Sequence, residues 1–139
     1  MAKPHNINID TGELRITIND DPDRVIVFNP EDHVFIESFY LLVEKLNDYR
    51  KRMETLVDDA ELDEYNIPKN TKERNALLSE ASVYLRGKVD ELFGENAAFN
   101  VFGETTSLDA FAQFIEGVTP FVKSVREEKT KKYKAKKAG

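Results

Sequence analysis

Three groups of residues in this chain have the types and spacings that chemistry requires. Asp10-Thr11-Gly12 is the triplet that places a catalytic carboxylate in aspartic proteases, where two copies share one proton. Those enzymes are built almost wholly of strands, whereas this chain reads as helical after residue 29, and Asp-Thr-Gly is also ordinary turn sequence. Asp20, Asp21 and Asp23 form one acidic cluster; Asp58, Asp59, Glu61, Asp63 and Glu64 form another. Either could ligate calcium, but neither fits an EF-hand loop: counted from Asp59, Glu64 takes the place that needs glycine. Solvated acidic loops are the expectation for both. His5 and His33 stand in different settings, a terminal segment and a helix start, without the supporting groups of a base or metal ligand. No glycine-rich phosphate loop, G-x-S-x-G elbow or H-E-x-x-H motif occurs. With no cysteine, there is no thiolate nucleophile, no disulfide and no cysteine-held metal. The expectation is a binding protein, not an enzyme, with no cofactor and no metal.

The elements that would present a binding surface must fit one domain, since 139 residues build one real core but not two. A composition of 40% hydrophobic and 33% charged residues is that of a soluble globular chain. No run approaches the roughly 18 uninterrupted apolar residues of a membrane span, so no membrane partner is expected. The start, MAKPHNINID, lacks the apolar core of a signal peptide, which points to the cytoplasm. The net charge of −6 is split unevenly. Residues 123–139 hold eight Lys or Arg against two Glu, or +6, leaving −12 on residues 1–122. Six lysines between Lys129 and Lys137, with Tyr133 available to stack, could attract nucleic acid, but the acidic body argues against it.

Periodicity predicts a mainly α chain: three helices and an N-terminal β-hairpin. Residues 1–12 read as a flexible N-terminus, 13–125 as a single hairpin-plus-helices domain, and 126–139 as a basic disordered tail. Leu14–Ile18 alternates with period two and Arg24–Phe28 is β-branched, so Asn19–Asp23 reads as the loop of a hairpin. Asn29 as N-cap and Pro30 at the first turn open a helix with the seam Phe35, Phe39, Leu42, Leu46, Tyr49, Met53 and Leu56. Its four-three spacing is a heptad stripe, which could pair two copies of the chain. Val34, Ile36, Leu41 and Val43 widen the stripe and favour packing within one chain, buried on several sides. A second helix opens at Asn70, with Glu73 at capping-box spacing, carries Leu78, Ala81, Leu85, Val89 and Leu92, and stops at Gly94 in the left-handed position. A loop follows whose Phe99, Val101 and Phe102 should pack onto the body. The third helix starts near Thr106 with the stripe Leu108, Phe111, Ile115, Val118, Val122 and Val125, and is kinked or restarted at Pro120.

Asp90-Glu-Leu-Phe-Gly-Glu95, Val101-Phe-Gly103, the helix at Leu108–Glu116, Thr119-Pro-Phe121 and Lys131-Lys-Tyr133 occur in that order. Together, over the last third of the chain, they resemble the small tail-assembly chaperones of long-tailed phages and prophages of Gram-positive bacteria. The resemblance implies a protein absent from the finished virion that coats the tape-measure protein and delivers tail-tube subunits to it. It also implies a longer product made by ribosomal frameshifting near the C-terminus, for which the lysine pairs Lys131-Lys132 and Lys136-Lys137 would suit an A-rich codon run. A chaperone of this kind needs an apolar helical groove and a charged exterior. The candidate partner-binding residues are Tyr49, Met53, Leu56, Phe99 and Phe102, with Lys131, Lys132 and Tyr133 adding electrostatic reach. The rival expectation is a small structural or adaptor protein, such as a head–tail connector component or a prophage regulatory module.

Overall fold

The computed structural model describes residues 3–138, and the side chains of residues 3–124. The chain is mainly helical with an N-terminal antiparallel hairpin: β1 (Leu14–Ile18), β2 (Asp21–Phe28), α1 (His33–Asp58), α2 (Thr71–Phe93), α3 (Ala97–Phe102) and α4 (Leu108–Ala138). Residues 3–13 carry neither helix nor strand.

The hairpin turn is tighter than Asn19–Asp23 suggests. Asn19 and Asp20 both take positive φ, 53° and 59°, the two-residue geometry whose twist matches the flanking strands. Asp21 therefore already pairs with Ile18, while Leu14 to Thr17 pair with Phe28 to Val25. The three residues between, Pro22 to Arg24, form a bulge where proline's missing N–H costs no ladder bond. Ile26 and Phe28 are buried on the inward face, with Leu14, Ile16 and Ile18 partly buried beside them. A two-stranded ribbon is marginal alone, and here helices cover that face.

α1 begins three residues later than Asn29-Pro30 indicates. Asn29 Oδ1 accepts from the Glu31 N–H at 2.9 Å in a turn, and Asp32 caps the helix through the Val34 N–H, also at 2.9 Å. Its heptad seam is used inside the chain: Phe35, Phe39, Leu42, Leu46 and Tyr49 are all buried. The flanks are not. Val34 and Leu41 are exposed, so the stripe is widened on one side only. On α2 the buried row is Leu77, Ala81, Leu85, Val89 and Phe93, a strict four-residue spacing that moves Leu78 and Leu92 to the margin. Asn70 precedes the helix but makes no side-chain cap; its Nδ2 donates instead to the Leu56 carbonyl of α1 at 2.6 Å.

The segment between α2 and α4 holds a fourth, short helix where the sequence suggests only a loop. Gly94, at φ 108° and ψ 161°, sits in a region that only glycine enters readily, not the left-handed helical one; the left-handed residue is Asn96, φ 64°, at the start of α3. α3 lacks the length to be stable alone and is held from outside. Asp90 Oδ1 accepts from the Ala98 N–H at its start (2.9 Å). At its end Arg24 donates to the carbonyls of Asn100 and Val101 (2.7 and 2.8 Å). Arg86 donates to those of Gly103 and Thr105 (2.7 and 2.6 Å). Phe102 is buried by this clamp, but Phe99 is left 62% exposed.

α4 starts one turn-residue later than Thr106, with Ser107 Oγ reaching the Ala110 N–H. It runs through Pro120 without restarting. Thr119 Oγ1 donates to the Ile115 carbonyl at 2.7 Å just ahead of the proline. Residues 126–138, expected as a disordered tail, instead continue α4 to Ala138, while the side chains from Val125 onward lie outside the described residues.

Phenylalanines join β2 and the four helices. Phe93 of α2 lies 5.3 Å from Phe28 of β2, 5.5 Å from Phe35 of α1 and 4.9 Å from Phe114 of α4, each edge-on. Phe114 in turn meets Phe102 of α3 at 5.5 Å. Such pairs add about 0.5–1.5 kcal/mol each beyond burial of the rings. Phe93→Ala should therefore lower unfolding free energy by about 3–5 kcal/mol in urea titration, as large-to-small changes in aromatic cores do. Phe99→Ala should change it by less than about 0.5 kcal/mol, as for exposed sites.

Candidate partner-binding surfaces

The acidic clusters build turns. Asp63 Oδ1 accepts from the N–H groups of Tyr65 and Ile67 (2.8 and 3.0 Å), Asp21 Oδ1 from Asp23, and Asp10 Oδ1 from Gly12. Among the described residues no group of three or more His, Asp or Glu side chains is arranged to hold a metal ion. No described helix is long and apolar enough to cross a membrane.

The five apolar candidates do not form one groove. Tyr49 is 3% exposed and serves as a strut between α1 and α2. Tyr84 packs against it at 6.2 Å, while Arg52 (5.4 Å) and Lys45 (5.8 Å) lie over its ring. Phe102 is in the core, and Phe99 stands apart on α3. Met53 and Leu56 do reach a surface. They lie on a ridge formed by the last turns of α1, with a hollow on either side. The hollow towards α2, about 510 Å³, is lined by Leu56, Thr55, Ala76, Leu77, Arg52 and two glutamates, Glu73 and Glu80. The hollow towards the start of α4, about 500 Å³, takes in Met53, Val57 and Leu108. Lys131, Lys132 and Tyr133 have side chains outside the described residues.

Sequence reasoning missed part of this surface. Val57 at the end of α1 and Leu62, Tyr65 and Ile67 in the α1–α2 connection are all exposed. They are apolar side chains interleaved with Asp58, Asp59, Glu61 and Glu64, and that interleaving was the available signal. Together with Met53 and Leu56 they give this end of the molecule apolar area, flanked by acidic residues on the connection and by Arg50, Lys51 and Arg52 on α1.

A second depression lies at the hairpin. Ile16 and Ile18 of β1 form one wall, Gln113, Gly117 and Phe121 of α4 the other, and the space between is about 520 Å³. Comparison with protein-family models, with curated proteins and with solved structures returned no match.

Burial pushes the Tyr49 phenol above its usual value, with Glu80 adding to the rise and Arg52 opposing it. Raised in the folded state, it keeps its proton at a pH where the unfolded chain has lost it. The contribution is thus fully present below the ordinary tyrosine value of about 10 and is lost as pH rises through the folded one. Tyr49→Phe removes this term, so the variant should gain stability relative to the parent only above about pH 10, read from urea midpoints across pH.

Proposed function

We propose that this chain is a tail-assembly chaperone of a long-tailed phage or prophage, binding the tape-measure protein, the tube subunit or both. It does so transiently through the helical grooves at the far end of α1. The reading is supported by the resemblance of the last third of the chain and, above all, by one feature of the surface. Met53, Leu56 and Val57 form an apolar ridge between two hollows, and Leu62, Tyr65 and Ile67 extend the apolar area next to it. Helical clients seat apolar anchors at one-turn spacing in such grooves. The hollows carry both signs of charge, Arg50, Lys51 and Arg52 beside Glu54, Glu73, Glu80 and Asp109. The excess of acid lies on the connection at Asp58, Asp59, Glu61, Asp63 and Glu64, where it favours a Lys or Arg at that end of a client helix. Methionine suits a client whose repeats are alike but not identical. In this reading the protein works in the host cytoplasm and leaves before the virion is complete.

Co-expression with phage tape-measure and tube proteins encoded in the same genome tests the proposal. The parent chain should co-purify with one of them and raise its soluble yield. Val57→Glu with Ile67→Glu, both at exposed positions, should weaken that complex by at least about tenfold, or 1.4 kcal/mol, without altering the helical circular dichroism. Mature particles analysed by mass spectrometry should lack the chain; its presence there would favour a structural or adaptor role.

A further inference from the structure

The hairpin has an open edge beside an unfilled cleft. Residues flanking a two-residue turn exchange both backbone hydrogen bonds, so Ile18 faces Asp21, and alternation gives the same orientation to Ile16 and Leu14. Arg15 and Thr17 must then point their N–H and C=O groups away from β2. On the other side, the outward carbonyl of Val25 is met by Asn100 Nδ2 of α3 at 3.3 Å, so β2's outer edge is covered and β1's is not. Among the described residues, no backbone hydrogen bond outside the hairpin involves Arg15 or Thr17. The cleft between β1 and α4 lies under this edge, walled by Ile16, Ile18 and Phe121, the last 41% exposed.

The chain also carries a segment with the complementary pattern. In Asn6-Ile-Asn-Ile-Asp10 the isoleucines alternate with polar residues, and Ile7 and Ile9 are 81% and 77% exposed. We propose that the N-terminal arm of a second copy of this chain adds to β1 as an antiparallel strand, seating Ile7 and Ile9 in the cleft.

Alternation and charge together fix the register. Ile9 opposite Ile16 and Ile7 opposite Ile18 put both isoleucines over the cleft, Asn8 opposite Thr17 and Asp10 opposite Arg15. Lys3 then reaches the acidic turn at Asp20, Asp21 and Asp23. A slip of one residue turns both isoleucines to water. A slip of two in one direction sets Asp10 against Glu13, and in the other carries Ile7 past the end of β1. A parallel strand would bring Asp10 to the acidic turn. Pairing of the arm with its own β1 is opposed by how its root is held. The Thr11 carbonyl accepts from Asn29 Nδ2 at 2.5 Å and Gly12 lies against the Glu31 side chain, which directs the arm beyond the end of β2. An internal Asp10–Arg15 pair would have to reverse the chain within Thr11–Leu14, where Leu14 is already paired with Phe28. A second molecule needs no reversal.

The inference does not depend on the proposed chaperone role, and its test needs only the purified full-length chain. Because the chain has no cysteine, Asn8→Cys and Thr17→Cys can be placed in separate molecules. Directly opposed strand residues lie within disulfide reach, so oxidising the mixture should give a covalent heterodimer. A mixture of Asn8→Cys with Val83→Cys, an exposed site on α2, should not. In sedimentation velocity the parent should be dimeric or larger, and Ile7→Asp with Ile9→Asp should shift it to monomer with unchanged circular dichroism. Arg15→Glu should weaken association at least about tenfold and Asp10→Lys in the same chain should restore it. A monomeric parent, an assembly that survives the isoleucine changes, equal linking to Val83→Cys, or closure within one doubly substituted molecule would each overturn the inference.

Discussion

Every element of this chain that lacks the means to be stable alone is tied to one side chain, Phe93. A two-stranded ribbon and a six-residue helix would both melt in water. Here β2 reaches the core through Phe28 against Phe93, and α3 reaches it through Phe102 against Phe114, which itself packs on Phe93. The ring sits on the last residue of α2, immediately before Gly94. Its position therefore depends on the helix ending there, and the glycine-only backbone that follows is what permits the ending. Packing and chain termination are one constraint at this point.

Concentrating the aromatic core near the hairpin leaves the opposite end of α1 with lighter cover. The buried part of the seam ends at Tyr49; Met53 and Leu56, its continuation, are only partly enclosed. The same sequence period thus serves two purposes along one helix. Its first half is internal packing, and its second offers an apolar ridge to another chain. Both depressions invoked for binding lie at borders of the core, one where α1 outruns its neighbours and one where α4 diverges from β1.

Much of this was legible in the residues. The α1 seam, the two strands, the span of α2 and the start of α4 follow from periods of 3.5 and 2 that no neighbour has to supply, whereas the run of α4 through Pro120 to Ala138 does not. What escaped was set by distant groups. Asp21-Pro22-Asp23 has turn chemistry, but Asn19 and Asp20 tolerate positive φ and close the hairpin first, which leaves the proline for a bulge. Ala97–Phe102 has no recognisable period because Arg24, Arg86 and Asp90, up to 77 positions away, hold it helical. Asn70 has good cap chemistry, yet its Nδ2 donates to the Leu56 carbonyl and its Oδ1, the atom a cap would use, is buried without a partner. For the binding surface, Met53 and Leu56 were readable as an extension of a buried seam. Tyr49 was not excluded, because its burial depends on Lys45, Arg52 and Tyr84 closing over it.

If the aromatic cluster is what holds the small elements to the large ones, they cannot open separately. Native-state hydrogen exchange across a denaturant series measures this residue by residue. The account predicts that the amides of Ile26, Phe39, Leu85 and Phe114, one from each of β2, α1, α2 and α4, converge on a single opening free energy equal to that of global unfolding. A hairpin whose amides exchange through its own low-energy opening, while the helices stay protected, would contradict it.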